Sequence, residues 1–313
     1  MKWSIDFEPA RPDFSIAGAS SIYLAGSCFA TAWARRLKNI QWPAVYHPLH
    51  ITYQPQALLK QLKYIIGDQQ VLDDHWVEVQ GSWRHLDIHS KLSHSEKASA
   101  VDRLEAARER AFLSLQQAEY VIITLGTSRS FTYLPTGNRI ANCQKVAQSF
   151  FRVESEPLAD ICQQLIQIQS ILKSLPRFRQ AIWTVSPVRH LRSGIIENQR
   201  SKARLILAIE QLVNTESSAH YFPAYEWLID VLRDYRFYDR DMAHPSEEAV
   251  DFILQKFIEM YFAPDAMTMY HQLRKYANLS RHRSAPATAK THQQKVQAMK
   301  EKLQAAYPQL HLD

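Results

Sequence analysis

A parallel β-sheet covered by helices on both faces is the architecture this sequence predicts, on three observations. Strand-like and helical patterns alternate along the first 265 residues. The strand candidates 21–25, 120–125 and 181–185 are continuous apolar runs, as strands buried on both faces should be. Chemistry-bearing residues (Ser27, Gly126, Ser186, His244) fall just past strand ends or before a helix, where ligands of such sheets bind.

In chain order, the run 21–25 turns at Gly26-Ser27 into a helix over 30–37 whose pattern begins near Cys28. An irregular stretch through Pro43, Pro48 and Pro55 precedes a helix over 56–66. Residues 76–88 alternate like a strand. Residues 98–117 form an amphipathic helix with Leu104, Ala107, Ala111, Phe112 and Leu115 on one stripe. After the strand 120–125 come a helix over 158–175, the strand 181–185, a helix over 201–213 and a short strand over 220–222. Helices over 225–232 and 246–262 follow, the second opening behind His244-Pro245, with proline tolerated in a first turn.

Hydrophobic residues make up 46% of the 313 and aromatics 11%, ample for a packed core. No apolar stretch is long enough to cross a bilayer and none at the start has the form of a signal peptide. The sequence therefore reads as a soluble, cytoplasmic protein. Cys28, Cys143 and Cys162 lack metal-type pairing and imply no disulfide. The net charge of +6 lies entirely past residue 265, with eight basic residues against two acidic ones. That distribution disfavours nucleic acid as a partner of the main body. Residues 1–264 read as one α/β domain and 265–313 as a basic, partly helical tail. Within the tail a linker is expected over 280–291 and a polar helix over 293–306, solvated and dispensable for folding.

Two roles fit Ser27. A serine at a strand-to-helix turn caps the helix, or it acts as a nucleophile beside N–H groups able to stabilise an oxyanion. A serine nucleophile needs a base, usually histidine, held in one tautomer by a carboxylate. Asp241-Met242-Ala243-His244 supplies both groups three residues apart. Cys28 reads either as a small buried side chain or as a reactive thiol at a helix N-terminus. His85, Asp87 and His89 alternate on a strand; half-exposed residues or a hydrogen-bonded pair fit them better than a metal site. Arg189 and His190 follow a buried strand, placed to bind an anionic group of a substrate or to pair with a carboxylate such as Glu197. The stretch 234–238 reads as a loop that positions Asp241.

Gly26-Ser27-Cys28-Phe29-Ala30 is the signature of the bacterial GSCFA proteins, which this chain resembles and which are similar to the SGNH/GDSL hydrolases. Further matching stretches include Asp87-Ile88-His89-Ser90, Thr124-Leu125-Gly126-Thr127, Asn142-Cys143-Gln144-Lys145, the segments 184–190, 197–203, 221–226 and 232–238, and Asp241–Pro245. The resemblance covers about residues 1–262. It implies a flavodoxin-like three-layer α/β/α fold and a triad of Ser27, His244 and Asp241. The implied activity is that of a serine esterase or acyltransferase acting on a small ester or carbohydrate O-acyl group, without cofactor or metal. Ser27 and Gly126 would form the oxyanion hole, with Asn142 replacing the asparagine that SGNH enzymes carry in their third block. His50, His89, Thr127, Arg189 and His190 are the expected substrate contacts. His50 stands where the family pattern usually has glycine, and Gln144 where it has histidine. The missing asparagine also admits a ligand-binding protein that keeps the pocket without catalysis.

Overall fold

The structure, a computed structural model, describes residues 5–282, 289–308, 310 and 312. Its central sheet is formed by β1 (Ile22–Gly26), β2 (Ala44–Tyr46), β5 (Tyr120–Leu125), β9 (Gln180–Val185) and β10 (Ala219–Tyr221). All pairs are parallel, in the order β10-β9-β5-β1-β2. Counting only these five strands, that is the flavodoxin-like order 2-1-3-4-5, with its switch point between β1 and β5. The register pairs Gly26 with Thr124 and Leu125 with Val185, so the three central strands end level at one edge.

Period-two alternation of the strands sorts the core into two layers. Ile22, Leu24, Tyr120, Ile122 and Ile182 face the first, which includes residues of α1 (Cys28–Asn39) and α7 (Glu247–Tyr261). Tyr23, Ala25, Val121, Ile123, Ala181 and Trp183 face the second. That layer is closed by α2 (Pro55–Ile65), α3 (Lys97–Gln117), α4 (Leu158–Lys173) and α5 (Gly194–Thr215). The three-layer α/β/α architecture follows directly. A short α6 (Ala224–Glu226) runs on as a π-helix over Trp227–Leu232.

Two additions depart from the sequence reading. The strand expected over 76–88 is a hairpin of β3 (Trp76–Val79) and β4 (Ser82–His85). Its turn is Gln80-Gly81, both at positive φ (55° and 69°), the primed-turn conformation that matches strand twist. Between β5 and α4, where no element was expected, β6 (Arg129–Tyr133), β7 (Asn138–Ile140) and β8 (Phe151–Ser155) form an antiparallel sheet in the order β7-β6-β8. It packs on a small core of Leu86, Ile140 and Phe151.

The tail also differs from its expectation as a solvated appendage. Helix α8 (Pro264–Arg281) buries Ala266, Met269, Tyr270, Leu273, Tyr276 and Ala277, an amphipathic stripe facing the first core layer. Trp42 and Phe262 stack at 4.8 Å, with Tyr270 edge-on to both. Helix α9 (Ala289–Ala306) and the residues after it add Leu303, Leu310 and Leu312 to that layer. The middle of the expected linker, 283–288, lies outside the described residues. No helix among the described residues is long and apolar enough to cross a membrane.

Removing everything after residue 264 uncovers Trp42 and Phe262 and deletes the apolar face of α8. Each buried large side chain contributes about 1.5–3 kcal/mol. The truncated chain is therefore expected to lose on the order of 5 kcal/mol or more, read by urea denaturation. An unchanged midpoint would show that the helix only decorates the domain.

Candidate active site

The site is built at the level strand ends. Gly26 has φ 125°, and a Cβ there would lie 2.1 Å from the Thr124 carbonyl oxygen, so only glycine fits between β1 and β5. The chain then turns at once into α1. Ser27 is 2% exposed, its N–H donates to Thr124 O at 2.9 Å, and its Oγ accepts the Phe29 N–H at 3.2 Å. The N–H is committed to the turn, which corrects Ser27 as an oxyanion donor; the hydroxyl accepts in the cap and keeps its own proton to donate. Cys28, one residue further and partly buried, is the side chain that meets His244.

His244 is held from the other side. Its Nδ1 lies 2.6 Å from Asp241 Oδ2, while Asp241 Oδ1 accepts the N–H groups of Ala243 and His244, each at 2.9 Å. Met242, at φ 56°, makes the tight turn possible. The turn is anchored by the Tyr238–Pro245 bridge and by Arg189, whose N–H donates to Ala243 O at 2.9 Å. The stretch 234–238 thus positions the turn, as expected. Backbone N–H donors, then the imidazole, hold the Asp241 carboxyl down at about 2. A hydrogen bond with Cys28, then one with Asp241, raises His244 to about 9 against the opposing effect of its partial burial.

Lys202, absent from the sequence-based site, lies under this edge. It is 1% exposed on α5 and its Nζ donates to Gly126 O at 2.6 Å and Ser186 O at 2.7 Å, clasping the ends of β5 and β9. Desolvation pulls its ammonium down to about 7, and the nearby Cys28 sulfur opposes that shift. A lone lysine in an amphipathic helix gives the sequence no sign of such burial.

The other expected residues divide. Gly126 donates its N–H to Tyr53 O at 2.8 Å, which corrects its assignment as an oxyanion donor. Its lack of a side chain instead admits Tyr53 and His190, each about 3 Å from where a Cβ would sit. Asn142 spends its Oδ1 on the Gln144 N–H, and its own N–H on Leu86 O, while facing a cavity of about 810 Å³. Thr127, Arg189 and His190 border the same cavity. Burial, then the charges of Lys202 and His244, lower His190 to about 4 and keep it neutral. His50 and His89 pair with each other, rings 5.8 Å apart, outside the lining of that cavity. Glu197 binds Arg200, so Arg189 is not its partner.

The face expected of His85, Asp87 and His89 forms with His75 in place of His89. Ligand atoms of His75, His85 and Asp87 lie within 4.8 Å of one another. Most of these polar atoms are satisfied internally, His75 Nε2 being the one buried without a partner. His75 Nδ1 bonds Asp87 Oδ2 at 2.7 Å, Lys60 approaches Oδ1 at 3.4 Å, and both His85 nitrogens are engaged. A hydrogen-bonded network explains the cluster.

A model of the GSCFA family matches residues 21–257. The chain belongs to the GSCFA family. Against the family pattern, the GSCFA chain carries His50 at φ 67°, a left-handed position that favours the usual glycine. Gln144, at the usual histidine position, donates from its amide to the carbonyls of His85 and Ile88 and so pins the loop beside Asn142. Among solved structures, one similar chain is a Streptococcus pneumonia protein described as a candidate platelet activating factor. It is 12% identical, with 80% of this chain and 85% of that one covered and a TM-score of 0.39. No curated protein matches the sequence.

Because the Lys202 amine is lowered when folded, the unfolded chain binds more protons between about pH 7 and its ordinary range. Stability from this group therefore rises with pH through that window. Between pH 7 and 9.5 the wild type is expected to gain about 3 kcal/mol relative to Lys202→Met, by urea denaturation at the two pH values. Parallel pH dependence in the two proteins would contradict a buried, depressed amine.

Proposed function

We propose that this protein hydrolyses or transfers acyl groups through a cysteine nucleophile, with Cys28 attacking, His244 as base and acid, and Asp241 orienting His244. The observation that supports this most is the His244–Asp241 pair, Nδ1 to Oδ2 at 2.6 Å, at the end of the parallel sheet, with Cys28 the largest influence on the raised pKa of His244. His244 takes the thiol proton as the sulfur attacks the carbonyl carbon of an ester or thioester. The resulting oxyanion is served by the Cys28 N–H in the first turn of α1, aligned with the helix dipole. Collapse expels the leaving group, which receives the proton from His244. Water or an acceptor hydroxyl, deprotonated by His244, then attacks the acyl-thioester and frees Cys28. As negative charge develops on the sulfur, it favours the protonated form of the buried Lys202 amine nearby.

One observation favours the alternative of a binding protein without turnover: the N–H groups of Ser27 and Gly126 are already bonded to Thr124 O and Tyr53 O. Each oxyanion donor contributes about a hundredfold or more in rate. Turnover and labelling of Cys28 separate the two readings.

With p-nitrophenyl acetate, Cys28→Ala is expected to abolish the acylation burst. Ser27→Ala should keep most of it while losing about 1 kcal/mol of stability with the cap. An inactive Ser27→Ala beside an active Cys28→Ala would return the role to the serine. With His244 acting as base, kcat/KM should show a rising limb that levels off near pH 9 as His244 loses its proton, and that limb should move to lower pH in Asp241→Asn, read from pH–rate profiles. A limb unmoved by that substitution would remove Asp241 from the mechanism.

A further inference from the structure

The cavity beside the triad has a wall of one charge. Arg129, Lys145, Arg189 and Arg192 border its 810 Å³, and no carboxylate does. None of the four is ion-paired among the described residues, where nine other arginines have acidic partners. Arg129 Nε is buried with no hydrogen-bond partner, a cost that the folded chain carries at this spot. Arg189 is held in place by its guanidinium, 4.0 Å from the centre of the Tyr238 ring. Lys145 and its neighbour Gln144 are consecutive non-glycine residues at positive φ (66° and 52°), a conformation that costs energy and sets where the lysine leaves the chain.

The same cavity adjoins the turn that carries Asp241 and His244: Arg189, which borders it, donates its backbone N–H to Ala243 O at 2.9 Å and its guanidinium to Met242 O at 3.4 Å, and Tyr53 and His190 border it as well. With His190 neutral, the positive charge is concentrated on the three arginines and Lys145. Guanidinium forks suit bidentate binding of phosphate, and a phosphate group brings close to two negative charges where a carboxylate brings one. The volume is that of a site for a small molecule.

We propose that this cavity binds phosphate groups carried by the acyl substrate, so that the enzyme acts on a phosphate-bearing small acyl compound. The proposal deepens the catalytic reading above and takes the position of the reacting carbonyl from it. Phosphate oxygens meet Arg129, Arg189 and Arg192 while the acyl carbon lies toward Cys28, past Tyr53 and His190.

The test is calorimetric titration of the full-length protein with inorganic pyrophosphate, and in parallel with citrate as a carboxylate of similar charge. Pyrophosphate is expected to bind, at least tenfold more tightly than citrate, and to lose at least tenfold in affinity in Arg129→Gln and in Arg192→Gln. Arg192→Lys, which keeps the charge and loses the fork, should fall between, and thermal melts confirm that each variant is folded. No binding, equal binding of citrate, or affinity indifferent to the substitutions would overturn the proposal. Turnover of neutral p-nitrophenyl acetate is measured on the same samples. Pyrophosphate binding without turnover removes the catalytic reading and leaves the phosphate site standing. Turnover without pyrophosphate binding removes the phosphate site alone.

Discussion

Everything at this edge of the sheet depends on the absence of a β-carbon at Gly26. Any side chain there would collide with Thr124, and β1 and β5 would separate at the point where the sheet reverses its winding. The close approach lets the Ser27 N–H bond Thr124 O, and that bond ends the strand and starts α1 within one residue. The helix start then projects Cys28 over the sheet edge. Four consecutive residues thus divide the work. Glycine permits contact, serine fixes the turn, cysteine opens the helix, and Phe29 anchors it in the core.

The second constraint is electrostatic. A fully buried lysine is costly unless its donors are satisfied. Lys202 has two strong acceptors, the carbonyls at the ends of β5 and β9. A neutral amine has two N–H groups and matches them. An ammonium has a third, which suits a neighbouring thiolate. The charge of this group is therefore coupled to that of Cys28: desolvation favours the neutral amine and the sulfur favours the cation. On the open side, Asp241 and His244 are each about half exposed, so their interaction relies on short hydrogen bonds rather than on low dielectric.

The central sheet was legible in the sequence because β1, β5 and β9 are buried on both faces and leave continuous apolar runs. The strands β6–β8 were not, because Arg129-Ser-Phe-Thr-Tyr and its partners mix polar and aromatic residues on a sheet half open to the cavity. The stripe of α8 was hidden by the charge of Arg274, Lys275 and Arg281, which share the helix with Leu273 and Tyr276 without sharing their face. In the site, Asp241 and His244 were readable because their interaction is local, closed within four residues. His50, His89 and Lys202 depend on which elements meet, and spacing along the chain does not carry that information.

The choice between Ser27 and Cys28 shows why one residue of register matters at a helix start. An N-cap residue has extended backbone and directs its side chain back toward the N–H groups of the first turn. The next residue is already helical and directs its side chain outward. A hydroxyl at the first position finds a donor at once, in Phe29 N–H, and is drawn into the cap. A thiol at the second position lies outside the cap. The serine is then the reason the cysteine is well placed. By capping α1 through the Phe29 N–H it fixes the helix start one residue before Cys28. The two adjacent nucleophile-type residues are parts of one device, in which the first holds the second in position.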